Sequence, residues 1–134
     1  MKTRNLVPLC IALACASLAG CASKPKAIPE DLSAQILVQR AQEASDKYDY
    51  DLALSYYAAL RDRFGTDPAH LCAAEYEMAF IAYKQGHISA AKAGLEALLA
   101  RYQEAGGANL PQHYRILATK VLENIAAQEN PKKE

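Results

Sequence analysis

The stretch DPAHLCAAEYEMAFIAYKQG, residues 67–86, decides the fold that the sequence predicts. Asp67 can cap the first free N–H groups of a helix, and Pro68 suits the first helical position, where an N–H has no partner. Gly86 can adopt the left-handed conformation that ends a helix. The apolar residues in between cover a wide arc, which is typical of a helix buried against more than one neighbour. We therefore predict that residues 67–86 form the central helix of a small all-α stack.

Four further helices are predicted around this one from apolar residues at helical spacing, and no segment alternates like a strand. Their predicted ends are Pro29 for the first, Asp49 and Gly65 for the second, Ser89 and Gly106-Gly107 for the fourth, and Pro111 for the fifth. The residues predicted to face inward are Leu32, Ile36, Leu37, Ala41 and Ala44, then Leu52, Ala53, Tyr56, Tyr57, Leu60 and Phe64, then Ala91, Leu95, Leu98, Leu99 and Tyr102, then Tyr114, Leu117, Ala118, Val121, Leu122 and Ile125.

The sequence matches itself at a fixed offset of 38 residues, from position 41 to 79 for example, small residues with small and large with large, and we call this spacing the repeat offset. The matched pairs are Ala41 with Ala79, Ala44 with Ala82, Tyr50 with Ile88, Ala53 with Ala91, Tyr57 with Leu95 and Leu60 with Leu98. Small residues suit positions where two helices approach closely, and large ones fill the space between. This pattern resembles the tetratricopeptide repeat, a helix-turn-helix unit of about 34 residues. The resemblance implies two helix pairs plus a C-terminal capping helix.

A plain antiparallel helical bundle is the alternative fold, because helical spacing alone does not separate the two. The matched alanines and the turn spacing favour the repeat. Such stacks need about three repeats for stability, so dimerisation or a partner would help this one.

Residues 1–20 have the composition of an export signal. Lys2 and Arg4 form a positive region, and the apolar run that follows is too short to span a membrane as a mature helix. Leu18-Ala19-Gly20-Cys21 then resembles the lipobox of bacterial lipoproteins. The resemblance implies cleavage before Cys21 and acylation of that residue, and two or three acyl chains bind a membrane stably. An ordinary secretory signal that ends before a cysteine is the alternative.

The segment after Cys21 is predicted to be a tether, because it contains prolines and lysines without periodicity. At about 3 Å per residue it reaches roughly 25 Å. We divide the chain into a signal peptide (1–20), the lipidated cysteine and tether (21–28), the helical domain (29–128) and a polar tail (129–134). Lipoproteins kept in the inner membrane often carry an aspartate after the cysteine. Ala22 therefore favours the outer membrane, facing the periplasm.

The charge balance argues against a nucleic acid as the partner. The chain has 15 basic and 15 acidic residues, and removal of Lys2 and Arg4 leaves 13 against 15. Neutralising phosphates needs a basic face, which this composition does not provide. Of the four cysteines, only Cys72 lies beyond the signal and the lipobox, so it is predicted to be a buried apolar residue without a disulfide.

No motif of catalysis or metal binding is present in the sequence. His70, His87 and His113 are far apart, and there is no Cys pair, no His-x-x-x-His and no Gly-rich phosphate loop. No Ser or Cys lies in a recognisable nucleophile motif. We predict that the chain is not an enzyme and holds no metal or cofactor.

Tyr76, Phe80 and Tyr83 follow one another at i, i+4 and i+7 on the central helix, and we call them the aromatic stripe. One interpretation is that they belong to the core. The other is that they form a peptide-binding surface, because exposed aromatic residues act as binding anchors. The repeat resemblance implies a groove lined by the first helix of each pair, which adds Gln42 and Arg115 as partner-binding residues.

The combination of the lipobox, the short tether and the repeats resembles the BamD-like lipoproteins of the outer-membrane β-barrel assembly machinery. It also resembles the repeat domain of the Tol-Pal-associated coordinator. This resemblance implies a membrane-anchored periplasmic scaffold that binds a protein or peptide partner in the envelope. The alternative is an accessory lipoprotein that handles a ligand for a transporter.

Overall fold

The computed structural model describes residues 27–130, and all regular structure in this part of the chain is helical. The predicted signal peptide, Cys21, the tether up to residue 26 and the tail from residue 131 lie outside the described residues. The five α-helices are α1 (Ala34–Asp46), α2 (Tyr50–Phe64), α3 (Pro68–Lys84), α4 (Ile88–Arg101) and α5 (Gln112–Glu129). A short 3-10 turn, Gly107–Asn109, precedes α5. The predicted all-α class is confirmed.

Helix α3 is the central element, as the sequence predicts. α1 packs on α2, α2 on α3, α3 on α4, and α5 on both α4 and α3. Ala74 and Ile81 of α3 belong to the core shared with α1 and α2. Cys72, Tyr76 and Ala79 belong to the core shared with α4 and α5. Because α3 contributes to both cores, it has no wide polar face.

Both ends of α3 are built as predicted. The Asp67 carboxylate accepts a hydrogen bond from the N–H of Ala69 at 2.7 Å, and Pro68 is the first helical residue. Gly86 has a φ of +77°. The N–H of Gly86 donates to the carbonyl of Tyr83 at 3.0 Å, and the N–H of His87 donates to that of Ala82 at 2.9 Å. These two bonds form a Schellman motif.

The turn between α1 and α2 has the same two hydrogen bonds as the turn between α3 and α4. They are made by residues that the repeat offset relates to each other. The N–H of Tyr48 donates to the carbonyl of Ser45 at 3.0 Å, and the N–H of Asp49 donates to that of Ala44 at 2.9 Å. The Asp49 carboxylate then accepts from the N–H of Leu52 at 3.2 Å, so its predicted role as the cap of α2 is confirmed. The repeat offset therefore extends from side-chain types to the backbone of both turns.

Helix α1 does not begin at Pro29, as predicted, but at Ala34. Ser33 is the cap, and its hydroxyl accepts from the N–H of Ile36 at 3.4 Å. The backbone before it is held elsewhere, because the Arg63 guanidinium donates to the carbonyls of Pro29 at 2.6 Å and Ile28 at 2.9 Å. Arg63 thus fastens this segment to the C-terminal end of α2.

Two predicted boundaries of α4 are also wrong. The helix begins at Ile88, which leaves Ser89 inside it, and the cap residue His87 makes no side-chain bond. His87 has the place before α4 that Asp49 has before α2, so Ser89 falls at the second residue of the helix. The helix ends at Arg101, before Gly106-Gly107. Gly106 has a φ of +92° and leads into the 3-10 turn, where a Cβ on Gly107 would clash with the carbonyl oxygen of Tyr102.

Most residues predicted to face inward are buried or half-buried, with two exceptions. Ile36 is 38% exposed and Leu117 is 39% exposed. In α1, the buried positions Ala34, Leu37, Ala41 and Ala44 define the packed side, and Ile36 lies off it. In α5, the packed side is defined by the buried residues Ala118, Val121 and Ile125, and Leu117 lies off that side.

Two contacts join α3 to α4. The Arg101 guanidinium donates to both carboxylate oxygens of Glu75, each at 2.7 Å. Gly94 of α4 faces Ala79 so closely that a Cβ on Gly94 would lie 2.9 Å from the Cβ of Ala79. Helices α3 and α4 are therefore held together by a bidentate salt bridge at one end of α4 and by close packing in its middle.

Candidate partner-binding site

The aromatic stripe on α3 is a continuous stack of rings. The ring centroids of Tyr76 and Phe80 lie 5.7 Å apart with 13° between their planes, and those of Phe80 and Tyr83 lie 6.1 Å apart with 24° between theirs. Tyr76 is only 6% exposed, whereas Phe80 and Tyr83 are half-buried. The stripe thus runs from the core to the surface.

Helix α5 covers one edge of the stripe. The ring centroid of Tyr114 lies 5.7 Å from that of Tyr76, and Gln128 Nε2 donates to the Tyr83 hydroxyl at 3.0 Å. Of the two interpretations of the stripe, the core interpretation describes Tyr76. Phe80 and Tyr83 keep part of their surface accessible.

A lysine lies over the accessible end of the stripe. Lys84 Nζ is 5.3 Å from the ring centroid of Phe80 and 6.0 Å from that of Tyr50, at the start of α2. We call the five rings of Tyr50, Tyr76, Phe80, Tyr83 and Tyr114 the aromatic face. It spans the first residue of α2, the stripe on α3 and the first turn of α5.

Glu77 brings a negative charge to the aromatic face. Burial raises the pKa of its half-buried carboxyl, and the charge of Lys84 partly offsets this. Burial, and then the charge of Glu77, raise the pKa of the hydroxyls of Tyr57, Tyr76 and Tyr114. The charge of Glu77 therefore acts on tyrosine hydroxyls of three different helices.

The structure brings together Tyr76, Phe80 and Tyr83, but the other two predicted binding residues lie elsewhere. Gln42 is exposed on α1. Arg115 lines a recess of about 480 Å³ between α4 and α5, together with Leu99 and Ile116. We therefore restrict the candidate site to the aromatic face and the charges beside it.

Sequence reasoning missed Glu77, Lys84 and Tyr50 as members of this site, and it placed Tyr57 in the core alone. The signal that could have found Glu77 is its place in a helix that is apolar over a wide arc. A carboxylate at such a position has little open surface available to it. Tyr57 is buried, as predicted, and burial and then the charge of Glu77 raise the pKa of its hydroxyl.

Cys72 is fully buried in the core between α3, α4 and α5, as predicted. Burial raises the pKa of its thiol, so the thiol stays protonated at neutral pH. A protonated, buried thiol is unreactive. Cys72 therefore serves packing here.

Within residues 27–130, no cluster of three or more His, Cys, Asp or Glu side chains is arranged to hold a metal ion. In the same part of the chain, no helix has the length and apolar character needed to cross a bilayer.

Among known proteins, the chain is similar to an uncharacterized protein of Treponema pallidum (strain Nichols). The two are 36% identical over 110 residues, which is 81% of this chain. The chain spans 44% of the length of that relative. No family model matches the chain, and no solved structure matches it.

Proposed function

We propose that this chain is a lipid-anchored, tetratricopeptide-like scaffold that binds a protein or peptide partner in the bacterial envelope. The aromatic face on α3 is the proposed binding surface. Cys21 is the proposed lipid attachment site, and the outer membrane, facing the periplasm, is the proposed location. The class of protein that we propose is that of the BamD-like and Tol-Pal-coordinator-like periplasmic repeat proteins.

The observation that carries the repeat part of the proposal is the position-by-position correspondence between the two helix pairs. In four of the matched pairs both residues are buried: Ala41 and Ala79, Ala53 and Ala91, Tyr57 and Leu95, and Leu60 and Leu98. The turns inside the two pairs have matching hydrogen bonds. A repeated unit stacked on its neighbour accounts for both facts, whereas an unrelated bundle needs neither.

Binding through α3 is supported by the exposure of the stacked rings. Phe80 and Tyr83 already lie in fixed orientations, held by Tyr76 beneath and Gln128 at the edge. A partner that covers them gains apolar contact without ordering those side chains. Rigid aromatic residues of this kind are common binding hot spots.

Site-specific photo-crosslinking in the native cell tests the proposal. A photoreactive phenylalanine at Tyr83 should give one discrete crosslinked envelope protein, identifiable by mass spectrometry. The same group at Ala93, exposed on α4, is the control and should not trap that protein. The proposal fails if position 83 gives no crosslinked protein, or the same products as position 93.

A further inference from the structure

The outer side of α5 is open along a recess of about 480 Å³ that it forms with α4. Within residues 27–130, α5 packs on α4 and α3 through the side that holds Ala118, Val121 and Ile125. The recess lies on a different side of α5. Its lining consists of Leu99 and Gln103 from α4, and of Arg115, Ile116, Thr119, Lys120 and Glu123 from α5. The five residues from α5 are all exposed.

The exposed side of α5 is more apolar than the end of a helical stack usually is. Terminal units of such stacks have a polar outer face, which keeps them in solution. Here two of the four large apolar side chains that are exposed in the described part of the chain lie on α5: Ile116 at 53% and Leu117 at 39%. Ile116 borders the recess, opposite the half-buried Leu99. The recess therefore offers apolar surface that another molecule can cover.

Covering the recess leaves few polar groups without a partner. The Thr119 hydroxyl already donates to the carbonyl of Arg115 at 2.9 Å, so its donor stays bonded when the side chain is covered. Arg115, Lys120 and Glu123 form no ion pair within residues 27–130. Their charges are thus available to an approaching molecule.

These three charges have a fixed order along α5. The cations Arg115 and Lys120 come first, and the anion Glu123 follows. Ile116, Lys120 and Glu123 are spaced at i, i+4 and i+7, so they share one face of the helix. From position 115 to position 123 the helix rises by about 12 Å. One face of α5 therefore has a basic half and an acidic half, with Ile116 in the basic half.

We propose that a second copy of this chain binds at the recess, with the two α5 helices antiparallel. In this arrangement Glu123 of each copy faces Arg115 and Lys120 of the other, and each copy covers Ile116 of the other. The contact is isologous, because both copies use the same surface. A parallel arrangement would place charges of the same sign next to each other, which is unfavourable.

The order of the charges favours a second copy over another partner. A basic ligand would match Glu123 alone and would be repelled by Arg115 and Lys120. An acidic ligand would have the opposite mismatch. An identical helix that runs in the opposite direction matches both halves at once. The contact is independent of the proposed function, because none of the recess residues belongs to the aromatic face.

Reversal of charge in the full-length chain tests the proposal. Two copies with different affinity tags are produced in one cell and solubilised in detergent, and one tag is captured while the other is quantified. Glu123→Lys makes the face of α5 wholly basic, and Arg115→Glu with Lys120→Glu makes it wholly acidic. Each variant should recover its own second copy about tenfold less than the wild type does, because like charges then meet.

The basic and the acidic variant produced together should recover each other as well as two wild-type copies do. Each face then meets its opposite in either half of α5. Such rescue also shows that both variants are folded, whereas a merely structural role of these residues would not give it. Undiminished self-recovery of either variant, or a mixed pair that recovers no better than the single variants, would overturn the proposal.

Ile116→Ser tests the apolar part of the contact. It should reduce recovery of the second copy several-fold, because the apolar surface that this copy covers is removed. Ile36→Ser is the matched control, since Ile36 is an exposed isoleucine on α1. It should recover the second copy as the wild type does. Equal recovery by Ile116→Ser and Ile36→Ser would contradict a contact through α5.

Discussion

Tyr48 and Gly86 stand at matching positions of the two helix pairs and adopt the same left-handed backbone conformation, with φ values of +60° and +77°. Each is the residue at which the chain leaves one helix and turns into its partner helix. Glycine adopts this conformation without strain, whereas a residue with a Cβ is destabilised there by roughly 1–2 kcal/mol. The two turns therefore have one geometry and unequal conformational cost.

This inequality predicts opposite effects of substitution at the two positions. Tyr48→Gly should raise the free energy of unfolding by about 1 kcal/mol, and Gly86→Ala should lower it by a similar amount. A Cβ on Gly86 would meet no atom within 4 Å, so the loss there is conformational. Urea denaturation measures both. A lower stability of Tyr48→Gly would mean that the edge contact between Tyr48 and Tyr50 outweighs the strain.

The close approach of α3 and α4 predicts strong sensitivity at Gly94. Gly94→Leu places a side chain where a Cβ alone lies 2.9 Å from that of Ala79. We expect overpacking to lower the free energy of unfolding by about 1–3 kcal/mol. Ala93→Leu on the exposed neighbouring position is the control and should change the melting temperature little. Equal melting temperatures for both variants would mean that the helices are not closely packed at Gly94.

The bond between Glu75 and Arg101 should have a measurable coupling energy. A double-mutant cycle with Glu75→Gln and Arg101→Met isolates the pair. Because the two side chains remain 20% and 40% exposed, we expect a coupling of about 1 kcal/mol that decreases at high salt. The exposed pair of Lys92 and Glu129 is the comparison and should couple more weakly. Zero coupling would show that α3 and α4 are held by packing alone.

The raised pKa of Glu77 predicts a specific pH dependence of stability. A carboxyl whose pKa is higher in the folded than in the unfolded chain binds its proton more tightly when folded. The stabilising contribution of the protonated Glu77 carboxyl to the free energy of unfolding is therefore fully present below the ordinary carboxyl pKa. It is lost as the pH rises through the pKa of this carboxyl in the folded chain. As the pH rises through this interval, the free energy of unfolding of Glu77→Gln should increase relative to that of the wild type. Above the folded-state pKa of Glu77 the difference should become constant.

Urea midpoints of both proteins, measured stepwise from acid to neutral pH, check this prediction. Titrations that the two proteins share cancel in the difference. The hydroxyls of Tyr57, Tyr76 and Tyr114 stay neutral throughout, because their pKa values are raised above that of ordinary tyrosine. A difference that does not change with pH would mean that the Glu77 carboxylate is fully hydrated.

Lipid attachment at Cys21 is predicted from Leu18-Ala19-Gly20-Cys21. Mass spectrometry of the mature chain should show an N-terminal Cys21 with the added mass of two or three acyl chains. Cys21→Ser should leave an unprocessed or soluble product. A mature chain with an unmodified cysteine would contradict the anchor.

The fold is predictable from sequence wherever a residue type has one dominant local role. Asp67, Pro68, Asp49 and Gly86 act as expected because capping and the left-handed turn depend on chemistry within the same turn of the chain. The start of α1 is not predictable, because Arg63, at the far end of the next helix, holds the segment that was expected to form its first turn. Long-range bonds of this kind leave no local pattern.

The candidate site is only partly predictable, for a similar reason. The spacing of Tyr76, Phe80 and Tyr83 predicts the stripe, because residues at i, i+4 and i+7 share a helix face. It does not show that Tyr114 packs against Tyr76 from another helix. Tyr48 is not recognisable as a turn residue, because glycine is the residue expected at a left-handed position.

Arg63 also determines how a mechanical load enters the domain. Its two hydrogen bonds hold the carbonyls of Ile28 and Pro29 against the end of α2. A pulling force transmitted along the preceding residues therefore reaches α2 before it reaches Ser33 and the first turn of α1. Two bonds loaded together share the force, so part of it passes to α2 before α1 is loaded. If Cys21 is held in a membrane, thermal motion of the domain loads this point first.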